Sequence, residues 1–114
     1  MYNTIKTALT AAGIQVYDPA VKIGECKGAY AVAHDMGTQA QDGTKGLHGW
    51  RTYEIVLLVP LSTPDALADL VARARAALAG IRGLRYTGDQ APTGIEATYR
   101  ALSASLIFKN PTII

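Results

Sequence analysis

One segment decides most of what this chain can become. From Trp50 to Val59, Tyr53, Ile55, Leu57 and Val59 fall on one face of an extended strand, and Trp50, Thr52, Glu54, Val56 and Leu58 fall on the other. The far end of the segment is apolar on both faces, the pattern of a central strand buried on both sides. Pro60 closes it, because proline cannot donate to a ladder. The rest of the chain must therefore supply strand neighbours and at least one covering layer. A length of 114 residues suits one domain, which buries roughly two-thirds of the surface its unfolded chain exposes. Such a core needs neither disulfide nor metal, and the single cysteine, Cys26, excludes an intrachain disulfide. The longest apolar run, Ile55 to Leu61, is far too short to span a bilayer. No charged stretch followed by an apolar one marks the start, so no signal peptide is expected.

The eleven glycines and five prolines fall at the boundaries of the remaining segments, so local chemistry and pattern agree. Asn3 to Ala12 reads as a helix, with Tyr2, Ile5, Leu9 and Ala12 at helical spacing, Asn3 or Thr4 as cap and Gly13 as stop. Ile14–Tyr17 is a short extended piece ended by Asp18-Pro19, and Ala20–Lys27 reads as loop. Ala29–Asp35 alternates as a strand. Met36–Gly49 holds four glycines and almost no apolar content, and reads as a long loop of the kind that is functional or mobile. Ser62-Thr63-Pro64-Asp65 is a helix start with a hydroxyl cap, an early proline and an acid at the positive dipole end. Leu67, Leu70, Val71, Ala74 and Leu78 then form one apolar stripe, stopped by Gly80. Gly83–Thr87 is a candidate short strand, Gly88–Gly94 a turn-rich connection, and Ile95–Lys109 a long final strand. This order predicts an α+β domain over residues 1–109. It is a mostly antiparallel four- to five-stranded sheet with two helices packed on one face, followed by a tail, 110–114.

Candidates for chemistry do not converge. His34 and Asp35 are neighbours on a strand and point to opposite faces. His48, His34 and Cys26 have no metal-ligand spacing. Cys26 has one lysine beside it and no helix N-terminus to activate it. Gly43-Thr44-Lys45-Gly46 has the wrong order for a phosphate loop and is followed by a strand. Glu54 and Glu96 read as solvent-side residues of alternating strands, Glu54 a possible cross-strand partner of Arg100. No catalytic, metal or cofactor residue is expected, and the chain is not expected to be an enzyme. The net charge of +2 comes from scattered lysines and arginines, and Arg82 with Arg85 reads as a solvated turn, so no nucleic-acid footprint is present. Trp50, Arg51 and Tyr53 are of the kinds enriched at interface hot spots, and read equally as a core Tyr53 with Trp50 a partly buried strand-end anchor, because alternation sends only one of the two inward.

The order of elements resembles the tail terminator (tail-completion) proteins of long-tailed bacteriophages and the related minor capsid or neck proteins. The stretches that carry the resemblance are the first helix running into Gly13-Ile14-Gln15-Val16-Tyr17-Asp18, the strand Gly28–His34, and the polar loop with Asp42-Gly43. The strand Arg51–Val59, the helix Ala66-Leu67-Ala68-Asp69-Leu70-Val71 and a closing strand complete it. It covers nearly the whole chain, without a single diagnostic motif. It implies a virion structural protein, assembled in the host bacterial cytoplasm, whose copies close into a ring, commonly a hexamer. That ring caps the tail tube protein and meets the head connector or stopper protein, with DNA only passing through the lumen and no membrane involved. Under it, the intersubunit or tube contacts fall on Gly37, Thr38, Gln39, Gln41, Asp42, Thr44, Lys45, Trp50, Arg51, Thr112, Ile113 and Ile114. The alternatives are another head-tail neck or completion component, or a small ferredoxin-like ligand-binding module or enzyme with His34, His48 and Cys26 in one pocket.

Overall fold

The computed structural model describes residues 1–21, 24–40, 48–90 and 94–113. Its elements in chain order are α1 (Tyr2–Ala11), β1 (Val16–Tyr17), β2 (Tyr30–Ala40), β3 (His48–Pro60), α2 (Ala66–Ala79), β4 (Arg85–Gln90), β5 (Gly94–Glu96), a 3₁₀ turn (Ala97–Tyr99) and β6 (Ala101–Ile113). The chain is α+β, with a six-stranded mixed sheet ordered β1-β2-β3-β6-β4 and β5 pairing β6. The sheet thus has more strands than the sequence predicts, and one parallel pair, β1 with β2. Twelve residues, 18–29, separate the two strands in sequence, the connection length that parallel strands require.

α1 begins at Tyr2 with Met1 as its cap residue, ahead of the expected Asn3 or Thr4. Its end follows expectation: Gly13 takes φ +81°, and the Ile14 amide reaches back to the Leu9 carbonyl at 3.0 Å. This left-handed stop lets Ile14 fold under the helix beside Leu9. α2 begins at Ala66, and no side chain caps it. The Ala66 and Leu67 amides instead donate to the Thr63 and Pro64 carbonyls (3.1 and 3.2 Å), so the backbone satisfies donors assigned to a hydroxyl. Arg73 Nη2 donates to the Ala12 carbonyl (2.9 Å), which ties α2 to the negative end of α1.

Both helices pack on one face of the sheet. Ile5 and Leu9 of α1 and Leu67, Leu70, Ala74 and Leu78 of α2 share one buried cluster with Tyr53, Ile55, Leu57 and Val59 of β3 and Leu106 and Phe108 of β6. The opposite face is covered at one end only. There Cys26, Tyr30, Leu58 and Ala101 form a smaller cluster, fringed by Tyr17, Val32, Val56 and Tyr99. Segments 24–28 and 97–100 lie over it, joined by the Cys26 amide donating to the Tyr99 carbonyl at 2.6 Å. β3 is therefore central, as its pattern requires, but its second face is buried at Leu58 and only half-buried at Val56.

Three expectations are corrected. Met36–Gly49 is not one loop: β2 runs on to Ala40 and β3 starts at His48. The alternation is hidden by a bulge between Asp35 and Gly37, where Gly37 takes φ +93° and donates to Asp35 Oδ1 at 2.9 Å. Ile95–Lys109 is not one strand. The chain turns at the 3₁₀ turn and at Arg100, which takes φ 51°, so β5 and β6 form a hairpin. Asn110–Ile113 is not a tail but the end of β6, paired to β3 as far as His48↔Ile113. The candidate strand at Gly83–Thr87 exists as β4, which continues to Gln90 within the expected turn region.

Both edges of the sheet are short or irregular. β1 pairs with β2 only at Val16↔Ala31 and Tyr17↔Val32, and the Tyr2 hydroxyl lies 2.6 Å from the next outward carbonyl, that of Ala33. On the other side β4 and β5 follow β6 in separate pieces, with a register shift between Tyr86 and Gln90.

Leu57, fully buried at the centre of the main cluster, and Ile95, 69% exposed at the edge, make a matched test. Leu57→Ala is expected to lower unfolding free energy by about 2–5 kcal/mol in urea titrations, and Ile95→Ala to stay within about 0.5 kcal/mol of wild type.

Candidate assembly surface

β3 and β6 are 13 residues each, about 44 Å at roughly 3.4 Å per residue. α2, the longer helix, has 14 residues, about 21 Å at 1.5 Å each. One helical layer of that length cannot back the whole sheet. The buried cluster accordingly stops at Tyr53 and Phe108. Beyond it β2, β3 and β6 continue as a three-stranded ribbon, and the molecule measures 49 × 26 × 24 Å.

The ribbon gathers most of the sequence-predicted contact residues that are described. Thr38 pairs with Arg51 and Gln39 with Trp50, across β2 and β3. Gly49 pairs with Thr112, Trp50 with Pro111 and His48 with Ile113, across β3 and β6. Gly37 sits at the bulge where the ribbon begins. Stretches predicted as a loop, a strand start and a tail are thus three strands of one structure. Gln41, Asp42, Thr44, Lys45 and Ile114 lie outside the described residues.

Alternation separates the aromatic-basic cluster. Tyr53 is buried in the core, Arg51 is exposed on the same side beyond the helices, and Trp50 is half-buried on the opposite face. Arg51 Nε donates to Asp35 Oδ2 at 2.9 Å, and Nη2 donates to the same oxygen at 2.5 Å. The guanidinium holds the Asp35 carboxyl below the usual carboxylate range, aided by the Gly37 amide. A second carboxylate anchors α1. Asp18 Oδ1 accepts from Lys6 Nζ at 2.9 Å and lies 2.6 Å from the Tyr2 hydroxyl. Those bonds, Tyr2 first, lower the Asp18 pKa, while desolvation and then Asp18 raise that of Tyr2.

The residues considered for catalysis are dispersed. Cys26 is buried, its thiol donating to the Gly28 carbonyl at 3.2 Å in the small cluster. His34 is half-exposed, with Nδ1 3.9 Å from Glu54 Oε1. Glu54 does not meet Arg100: its β6 neighbour is Ile107, and Arg100 faces Glu25 at 3.9 Å. Among the described residues no group of three or more His, Cys, Asp or Glu side chains is arranged to hold a metal ion. No helix among them is long and apolar enough to cross a membrane.

Sequence reasoning missed a groove on the helix-free face. One depression of about 230 Å³ is bordered by Tyr30, Val32, Val56, Leu58, Tyr99 and Glu96. A second, of about 260 Å³, adjoins it along Val56 and Glu96 and reaches Glu54, Ser103 and Ser105. The signal was the apolar second face of β3, which reads equally well as a covered surface and as a vacant one.

No protein-family model matches the chain, and no curated protein matches it. Among solved structures it is similar to the type 4 fimbrial biogenesis protein PilO from Pseudomonas aeruginosa, with a TM-score of 0.55 and 12% sequence identity. The match covers 98% of this chain and 66% of that one, so the chain spans just under two-thirds of the length of the PilO structure. At that identity the likeness is one of fold.

The Asp35–Arg51 pair generates a pH prediction. The folded pKa of Asp35 lies below its unfolded value, so its contribution is complete above about pH 4 and is lost as pH falls through the folded pKa. Asp35→Asn is expected to lower Tm at pH 7 and to leave a smaller fall in Tm between about pH 5 and pH 3 than wild type shows. Thermal melts followed by circular dichroism across that range measure both.

Proposed function

We propose that the chain is a structural subunit of a long-tailed bacteriophage virion. It is a tail terminator whose copies form a ring, six-membered as is common in that family, between the tail tube and the head connector. The observation that carries this reading is the ribbon. It projects past the helical layer, and it is built from three stretches that the family resemblance marks for contacts. A ring needs two different patches per subunit, one for each neighbour, and a further surface for the tube. The helix-backed body and the bare ribbon offer surfaces of different character. Trp50, half-buried opposite Pro111, is the kind of side chain that anchors such contacts. The reading makes the chain a component assembled in the host cytoplasm and carried in the virion, without catalytic chemistry of its own.

Purified protein is expected to form rings visible by electron microscopy, either alone or on addition of purified tail tubes, and to block further tube growth. Trp50→Ala is expected to leave the fold intact and to weaken tube capping about tenfold or more, as for a tryptophan hot spot. Tubes that neither bind the protein nor stop growing in its presence would overturn the reading.

A further inference from the structure

The groove on the helix-free face has an electrostatic character that the core does not explain. Glu54 and Glu96 border it, and Glu96 forms no ion pair among the described residues. Glu54 has only the half-exposed His34, at 3.9 Å. The other carboxylates of comparable placement, Asp18 and Asp35, are matched by Lys6 and Arg51 at hydrogen-bond distance. The groove is therefore apolar at its centre and acidic along one margin, with no lysine or arginine paired to that margin among the described residues.

The complementary surface lies on the other side of the same sheet. A third depression, of about 380 Å³, runs between α2 and β4. Its outer margin carries Arg75, held 4.6 Å over the Tyr86 ring, and Arg82 stands exposed in the turn that follows α2. Neither arginine forms an ion pair among the described residues. α2 forms one wall of this depression and exposes Ala72, Ala76 and Ala79 along it beside Arg75, so the helix is a ridge of small residues at its margin.

We infer that the helix-free groove receives the α2 ridge of a second copy of this chain, with Arg75 and Arg82 meeting Glu54 and Glu96. The inference rests on the ring reading and names the subunit contact within it. The two surfaces are different and lie on opposite sides of the sheet, so the contact is heterologous. Each copy uses its groove for one neighbour and its ridge for the other. The ribbon then remains free for the tube. Pairing these charges across a partly desolvated contact sets which copy fits, and like charges placed opposite each other oppose assembly.

Charge exchange tests it. One variant carries Glu54→Lys and Glu96→Lys, a second carries Arg75→Glu and Arg82→Glu, and each is checked for a native melt by circular dichroism. Light scattering of the full-length protein over a wide concentration range is the readout. Wild type is expected to reach multiples of the 12.1 kDa chain mass. Each variant alone is expected to stay at the single-chain mass, and an equimolar mixture to recover the wild-type mass, since every groove then finds a ridge of opposite sign. Folded variants that assemble singly as wild type does, a mixture that stays at the single-chain mass, or a wild type that is monomeric at every concentration would overturn the inference. Tube capping separates this from the function itself. Variants that assemble singly and cap tubes would sink the contact and leave the terminator reading standing, whereas recovered assemblies that ignore tubes would do the reverse.

Discussion

β3 is hydrogen-bonded along nearly its whole length on both sides, to β2 from Tyr30 to Ala40 and to β6 from Ala101 to Ile113. Everything else is arranged around that ladder. Because its neighbours are antiparallel, their connections return at its two ends, and α2 fills the longer return by packing Leu67, Leu70, Ala74 and Leu78 onto the sheet. α1 docks beside it through Ile5 and Leu9, and is held by the Arg73 bond to Ala12 and by the Tyr2–Asp18–Lys6 cluster. The mismatch between 13-residue strands and helices of 10 and 14 residues then decides which part of the sheet is core and which part is bare.

Much of this was legible in the sequence where burial imposed a pattern. The stripe of α2, the Gly13 stop and the alternation of β3 through Tyr53, Ile55, Leu57 and Val59 all report contact with the shared core, so their periodicities survive. The ribbon was not legible, for the same reason. Gly37, Thr38 and Gln39 have no helix behind them, so nothing selects an apolar face, and a glycine at φ +93° shifts the register midway. Asn110–Ile113 was hidden likewise, Pro111 standing in a strand opposite Trp50. The break at Arg100 left no trace, because an arginine in the left-handed region carries no glycine to announce it. Trp50, Arg51 and the residues flanking the bulge were singled out from their types and from the family resemblance, and the ribbon holds them together. The groove was not, because Val56 and Leu58 look the same whether a surface is filled from within or left vacant.

The two faces of the sheet divide the work. The helix-backed face holds the main core. The opposite face is apolar near Tyr30, Val32, Val56 and Leu58 and acidic at Glu54 and Glu96, and it is only partly closed by segments 24–28 and 97–100. The residues of the main core and those lining the groove thus lie on opposite sides of the sheet, so changes to the groove need not disturb the core.

The spoiled margins of the sheet have a consequence at high protein concentration. An intact lateral strand is a template on which any other chain can add by main-chain pairing, with no end to the growth and little regard for sequence. Here the two-residue β1, the Tyr2 hydroxyl lodged against the Ala33 carbonyl, the bulge at Gly37 and the broken line of β4 and β5 interrupt the margins of the sheet beside the core. Interruptions of this kind blunt main-chain pairing between copies and leave more of an encounter to side chains, which discriminate between partners as backbone does not.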